Sequence, residues 1–141
     1  MLIEQLGLSG VMLSKLETHS DNRGSFSELL SPDLCSALGV DSFPQVNISE
    51  SAKDVFRGIR LQAEPYGQAK LIHCLSCSII DFVLDVNPSS PRQGEHISIE
   101  LKEGTGEVLF IPSHYAHGFV SKQACTKVPH RFLNYICGCC V

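Results

Sequence analysis

Short stretches rich in apolar and β-branched residues, many of them alternating with polar residues, dominate the chain from residue 43 onward. Alternation with a period of two is typical of β-strands, because successive side chains point to opposite faces of a sheet. Turn-forming groups of Pro, Gly, Asn and Ser separate the stretches. Eight strands are predicted, at 45–49, 55–62, 70–77, 79–86, 96–101, 108–111, 118–121 and 132–137. Short strands at this spacing favour a β-sandwich or a β-barrel.

One short helix is predicted ahead of these strands. Ser31 offers a polar N-cap, a proline follows it in the first turn, and Gly39 stands just after the last apolar residue. These signals predict a helix near residues 32–38. The polar segment 18–24 predicts a loop that leads into a strand at 25–30. The fold class is therefore mainly β with one helix.

Composition narrows the class of protein. With 141 residues, 43% of them hydrophobic and 18% charged, the chain has the size and apolar content of a single domain, 1–141. A formal charge of −4 argues against a general nucleic-acid-binding protein, which presents a basic surface to phosphates. No apolar stretch approaches the roughly 20 residues that span a bilayer, and the N-terminal residues lack the features of a secretory signal. We expect a cytoplasmic protein without membrane or nucleic-acid partners.

Five sequence blocks carry a resemblance to a known family. They are Asp21-Asn-Arg-Gly-Ser-Phe-Ser-Glu28, Gln45-Val-Asn-Ile-Ser-Glu-Ser51, Arg57-Gly-Ile-Arg-Leu-Gln62, Gln68-Ala-Lys-Leu-Ile72 and Ala116-His-Gly-Phe119. Through them the chain resembles the dTDP-4-dehydrorhamnose 3,5-epimerases from about Leu13 to Phe119, and Asp81 falls into register as well. The resemblance implies a cupin-like jelly roll, as a sandwich or barrel.

The resemblance also implies a homodimer that binds a nucleoside diphosphate sugar of the dTDP-4-keto-6-deoxyhexose type. In the family, a strand and loop of one subunit complete the nucleotide site of the other. The matching positions are Arg23, Phe26 and Glu28 for the partner's contribution, and Gln45, Asn47, Arg57 and Lys70 for the pocket. Their chemistry suits this role, because guanidinium and ammonium groups bind phosphate oxygens and an aromatic ring can stack on a base.

The catalytic positions depart from the family pattern. The family reaction removes and returns protons on both sides of a 4-keto group, which needs a base, an acid and a group that stabilises the enolate. The position of the family's histidine base is occupied by Arg60, whose guanidinium stays protonated. The aspartate that assists this base lies in a region that the chain does not reach. His117 matches a second family histidine, and Tyr135 lies near the position of the acid.

Three functions follow from this pattern. The first is a dTDP-sugar epimerase of cell-surface polysaccharide synthesis in which His117 and Tyr135 act, Arg60 donates to an oxyanion, and turnover is weak or lost. Loss of a general base costs roughly 10²- to 10⁴-fold in rate. The second is a non-catalytic or decayed protein that binds a sugar nucleotide.

The third alternative is a thiol or zinc protein. Seven cysteines without an export signal favour reduced thiols. Four thiolates for zinc could come from the group Cys74, Cys77, Cys137, Cys139 and Cys140. Burial as small apolar side chains is the simpler role for a free cysteine. A metal in the centre of the fold is not expected, because the early strand lacks a His-x-His pair, and no cofactor is expected.

Overall fold

The computed structural model describes residues 1–133 of the chain. One helix, α1 (Pro32–Leu38), lies between the fourth and fifth strands. The strands are β1 (Leu2–Gln5), β2 (Met12–Lys15), β3 (Thr18–Asp21), β4 (Gly24–Ser27), β5 (Gln45–Ser51), β6 (Phe56–Arg60), β7 (Lys70–His73), β8 (Ser78–Asp85), β9 (His96–Lys102), β10 (Glu107–Ile111), β11 (Tyr115–Ser121) and β12 (Thr126–Phe132).

Two antiparallel sheets carry the fold. One has six strands in the order β1-β2-β10-β7-β12-β5, and the other has four in the order β6-β11-β8-β9. The sheets do not close into a barrel, so the arrangement is the sandwich form of the predicted fold class. Strands β5 and β6 are edge strands of different sheets and lie close together on one side of the sandwich, where Arg57 of β6 donates hydrogen bonds to β5.

The core has two layers, one on each face of the six-stranded sheet. The layer between the sheets joins Ile72 and Leu109 to Ile79, Val83 and Phe119, all of them almost fully buried. On strand β8 buried residues alternate with partly exposed ones, as expected where one face of a strand packs on a core.

The second layer fills the space between the six-stranded sheet and the helix. Leu34 and Leu38 of α1 pack there with Leu71 and Phe110. Burial of such side chains contributes roughly 1.5–3 kcal/mol each, so the short helix is held mainly by this layer.

The predicted helix is confirmed, together with both of its end signals. The Ser31 side chain accepts a hydrogen bond from the Leu34 backbone N–H at 3.2 Å. Gly39 ends the helix with φ 71°, a left-handed conformation that favours glycine.

The prediction of a loop at 18–24 is wrong, because these residues form most of the antiparallel hairpin of β3 and β4. The hairpin pairs with no other strand of the described chain, so water reaches much of both faces and no apolar alternation marks it. Its two-residue turn is closed by Asp21, whose Oδ1 accepts from the Arg23 N–H at 2.8 Å. The predicted strand at 25–30 shortens to Gly24–Ser27.

The last described strand begins earlier than predicted. Strand β12 runs from Thr126 to Phe132, whereas the sequence predicted a strand from residue 132, because Pro129 interrupted the signal. Proline donates no ladder hydrogen bond and is usually absent from inner strands. Pro129 is accommodated because it lies just beyond the three residues that pair with β7. Residues 134–137 of the prediction lie outside the described residues.

Candidate functional site

Charged and polar side chains replace the apolar core at the side of the sandwich where β5 and β6 lie. We call this group the polar cluster, and it consists of Arg57, Lys70, Asp81, His117 and His130. The side chains of Lys70, Asp81 and His117 are 6%, 0% and 7% exposed. Such burial is uncommon for ionisable groups and occurs when they are paired or functional.

His117 and Asp81 form the centre of the cluster. Strands β11 and β8 pair so that these two side chains point into the space between the sheets, and His117 Nε2 donates to Asp81 Oδ2 at 2.8 Å. Burial raises the pKa of the Asp81 carboxyl, while attraction to His117 and Lys70 opposes this rise. Asp81 Oδ1 is buried and has no hydrogen-bond partner among residues 1–133.

Lys70 brings a buried cation to the same space from strand β7. Its Nζ donates to the Gln68 carbonyl at 3.2 Å. Burial lowers the pKa of the Lys70 ammonium from 10.5 to about 8, and attraction to Asp81 opposes part of this effect. The group is therefore mostly cationic at neutral pH and loses its charge as the pH rises through about 8.

His130 enters the cluster from strand β12. Its ring centroid lies 6.1 Å from that of His117 and 5.6 Å from that of Phe119. Burial is the main cause that lowers the pKa of His130 to about 3, and electrostatic interaction with His117, Arg57 and Lys70 lowers it further. The ring is therefore neutral at physiological pH.

Arg57 connects the two edge strands at the mouth of the site. From β6 its Nε donates to Ser51 Oγ at 2.8 Å and its Nη2 donates to the Glu50 carbonyl at 2.9 Å, both on β5. Gln45 and Asn47 lie further along β5, where Gln45 Nε2 donates to Asn47 Oδ1 at 3.3 Å. Asn47 pairs with His130 of β12, so the side-chain amides of Gln45 and Asn47 lie on the same face of the sheet as the His130 ring.

Arg60 lies directly opposite His117 in the pairing of β6 with β11. Paired residues of an antiparallel ladder point to the same face, so Arg60 projects on the side of the sheet that carries His117. Arg60 is exposed, and no hydrogen bond or ion pair joins its side chain to another residue of the described chain. The guanidinium is thus available to a ligand at the mouth of the site.

The residues predicted for the partner's site lie elsewhere, on and beside the projecting hairpin. The Arg23 side chain is 86% exposed and pairs with Asp21 at 2.7 Å, and Phe26 is 70% exposed. Glu28, just after β4, is exposed as well. Two surface depressions of about 420 and 440 Å³ flank the hairpin, and neither includes the polar cluster.

Sequence reasoning missed His130 and did not assign a role to Asp81. The alternation signal for His130 was hidden by Pro129 in the same strand. Asp81 occupies a buried position of β8 between Ile79 and Val83. A carboxylate inside the otherwise apolar run 79–84 was the signal that could have identified it. Tyr135 lies outside the described residues.

The cysteines of the zinc alternative do not form a site within the described part of the chain. Cys74 is fully buried, and burial raises the pKa of its thiol to about 11. A zinc ligand is a thiolate, which such burial disfavours. No group of three His, Cys, Asp or Glu side chains suited to a metal ion occurs in residues 1–133. Cys137, Cys139 and Cys140 lie outside this range.

Comparison with known proteins identifies the family. The family model for dTDP-4-dehydrorhamnose 3,5-epimerase matches residues 5–136. The chain belongs to the dTDP-4-dehydrorhamnose 3,5-epimerase family. A relative of that name in Sinorhizobium fredii is 32% identical over 93% of this chain and 68% of its own length. The Shigella flexneri relative is 35% identical, and the match covers 77% of this chain and 61% of that protein.

Solved structures agree with this family assignment. The dTDP-4-dehydrorhamnose 3,5-epimerase of Sulfolobus tokodaii has a TM-score of 0.91 at 31% identity, over 97% of this chain and 77% of that one. A 3,5-epimerase of Legionella pneumophila, solved in complex with dTDP-4-keto-L-rhamnose, has a TM-score of 0.90 at 27% identity, over 96% and 73% of the two chains. The cupin-like fold expected from the resemblance is thereby confirmed. No helix among the described residues is long and apolar enough to cross a membrane.

Proposed function

We propose that the protein binds a nucleoside diphosphate sugar of the dTDP-4-keto-6-deoxyhexose type, as a homodimer, and that its 3,5-epimerase turnover is weak or lost. The observation that carries the proposal is the pairing of Arg60 with His117. A buried polar cluster of the kind that serves proton transfer is retained, and a permanent cation stands beside it. A cytoplasmic location stays a prediction.

Binding is supported by the charges around the mouth of the site. The chain as a whole carries a formal charge of −4, yet Arg57, Arg60 and Lys70 converge on one side of the sandwich. Cations inside a partly dry cleft attract a diphosphate more strongly than the same charges in water. The Legionella relative holds dTDP-4-keto-L-rhamnose, which is an anion of this class.

Weak turnover is supported by the chemistry of Arg60. Removal of a proton next to a ketone needs a group that can accept it near neutral pH, and a guanidinium cannot do so. Arg60 can donate a hydrogen bond to a developing oxyanion. One such oxyanion-hole donor stabilises a transition state by roughly 3 kcal/mol. It would therefore stabilise an enolate without forming one.

Two measurements on one preparation test the proposal. Calorimetry should show dTDP binding to the wild-type protein, a large loss of affinity in Arg57→Met, and little change in Arg92→Met, which alters an exposed arginine in an ion pair with Glu95. Incubation with the dTDP-4-keto sugar in deuterated water should show slow or no deuterium uptake at both carbons. Failure to bind dTDP, or rapid uptake at both carbons, contradicts the proposal.

Substitution of Arg60 separates the remaining alternatives. In Arg60→His, faster deuterium uptake is expected if the lost base alone limits turnover. Binding of dTDP without uptake in either form would identify a non-catalytic sugar-nucleotide-binding protein.

The dimer is supported by the hairpin, whose exposed Arg23 and Phe26 have no strand to cover them within the described chain. Light scattering should give twice the mass of the chain. Arg23→Ala and Arg57→Met should each fail to bind dTDP alone and recover binding when the two are mixed and reassembled, because a mixed dimer contains one intact site. A monomeric mass, or no recovery on mixing, contradicts the dimer.

A further inference from the structure

We propose that His130 is a proton acceptor of this site and that its Nδ1 removes a proton from a carbon next to the keto group of the bound sugar. The proposal rests on the proposed function, since it takes the bound nucleotide sugar as the substrate. It adds to the site a residue that the sequence analysis did not consider. It also gives a route for the slow proton exchange that remains when Arg60 cannot act as a base.

The position of His130 is the first argument. Its ring faces the space between the sheets, 6.1 Å from the ring of His117 and near that of Phe119, and it is partly exposed. The ring of Phe132 stacks against it with centroids 6.4 Å apart at an interplanar angle of 12°. Contacts with three neighbouring rings restrict the orientation of the imidazole, as a proton-transfer group requires.

The hydrogen bonds of Ser49 accommodate the tautomer that the proposal requires. Ser49 Oγ lies 3.4 Å from the Val128 carbonyl oxygen, to which it can donate, and 3.1 Å from His130 Nε2. When the hydroxyl hydrogen goes to Val128, Nε2 carries the N–H that donates to Ser49. A neutral imidazole with hydrogen on Nε2 has its lone pair on Nδ1, which is the form that accepts a proton.

The charges around His130 link its basicity to ligand binding. Lys70 on β7, Arg57 on β6 and His117 on β11 face it and lower its pKa, while Asp81 on β8 is hydrogen-bonded to His117. Ser49 on β5 adds no charge. A bound diphosphate would offset the cations and so raise the pKa of His130 toward its ordinary range. The free imidazole would then become a stronger base while staying unprotonated in neutral solution.

The proton-transfer step balances without any further reactant. The C–H bond next to the keto group breaks, its proton passes to Nδ1, and its electron pair becomes the enolate with the negative charge on the keto oxygen. The imidazolium exchanges its proton with solvent and returns one to the same carbon. The Lys70 ammonium is the buried cation of the cluster that can stabilise the oxyanion.

The test compares deuterium uptake by the substrate at saturating concentration in wild type and His130→Gln. Glutamine keeps an N–H donor for Ser49 and has no basic nitrogen, so dTDP affinity should be unchanged while uptake falls by roughly 10²- to 10⁴-fold. His96→Gln, at an exposed position of β9, is the matched control and should exchange at the wild-type rate. Imidazole added to His130→Ala should restore part of the uptake.

A second readout does not depend on turnover. NMR titration of His130 should give a higher pKa in the dTDP complex than in the free protein. Undiminished exchange in His130→Gln, no exchange in the wild type, or an unchanged His130 pKa on binding would overturn the assignment of His130 alone. Absence of dTDP binding to the wild-type protein would instead overturn the proposed function, so the two failures are distinguishable.

Discussion

Replacement of the buried Lys70 by methionine should stabilise the protein at neutral pH and weaken ligand binding. The Lys70 side chain is 6% exposed, and burial lowers the pKa of its ammonium from 10.5 to about 8. The folded state thus disfavours the charged form that the unfolded chain carries. Methionine has a similar length, fills the same space and pays no penalty for a buried charge.

The size of the effect follows from linkage. Each pKa unit that separates two states corresponds to about 1.4 kcal/mol, so the change from 10.5 to about 8 corresponds to a cost on the order of 3 kcal/mol at pH 7. The unfolded chain binds more protons between these two values, and the stability of the wild type therefore rises with pH through this window. The cost falls below roughly 1 kcal/mol at pH 10. Lost attraction between Lys70 and Asp81 reduces the gain somewhat.

Urea unfolding at pH 7 and pH 10 measures this prediction. The free energy of unfolding of Lys70→Met should exceed that of the wild type by about 2–3 kcal/mol at pH 7, with a difference that shrinks toward pH 10. Lys102→Met changes an exposed lysine near Glu100 and should stay within about 0.5 kcal/mol of the wild type at both values. Equal stability of Lys70→Met and wild type at pH 7, or a difference that grows with pH, would refute the reasoning.

The same variant should bind dTDP more weakly, because the buried cation is lost. Such a result would show that Lys70 lowers the stability of the folded protein in return for ligand binding, and that burial of the apolar core compensates for this loss. A variant that gains stability and keeps full dTDP affinity would exclude Lys70 from the binding site.

Three further predictions concern the elements that hold the site. Ser31→Ala removes the cap on Leu34 and should lower the free energy of unfolding by about 1 kcal/mol in urea, whereas Ser31→Thr should cost less. Phe119→Ala empties a position that is 1% exposed and should cost about 3–5 kcal/mol, measured in the same way; a loss under 1 kcal/mol would show that the two sheets do not pack as described. Gly118→Ala would place a Cβ 2.8 Å from the Arg57 carbonyl oxygen, which forces β6 away from β11. The affinity for dTDP should therefore fall, and an unchanged affinity would contradict the pairing of these two strands.

The parts of the fold that local sequence signals specify were predicted well. The helix depends on Ser31, the proline after it and Gly39, all within a few residues of each other. Strand β8 was predicted as a strand, but its buried face was not, because that face carries Asp81 and Asp85 while the other carries Ile80 and Phe82. Strand β3 was missed because a strand without a buried face has no alternation to detect.

The site was predicted only in part, for a different reason. Family order brought Arg57, Lys70 and His117 into consideration, and the structure places them in one cluster, while their roles stay predictions. His130 was not considered, because a strand that contains proline does not have the usual signal of an inner strand. Nothing in the residues near position 130 indicates that Lys70, Arg57 and His117 face it from other strands.

The sequence by itself determined the family, the mainly β class and the presence of a permanent cation at position 60. These depend on residue identity and on neighbours along the chain. The tertiary structure alone decided which polar side chains meet, because Arg57, Lys70, Asp81, His117 and His130 lie on five strands and come together only through sheet pairing. Alternation tells which residues of a strand share a face, but only register and packing determine what that face contacts.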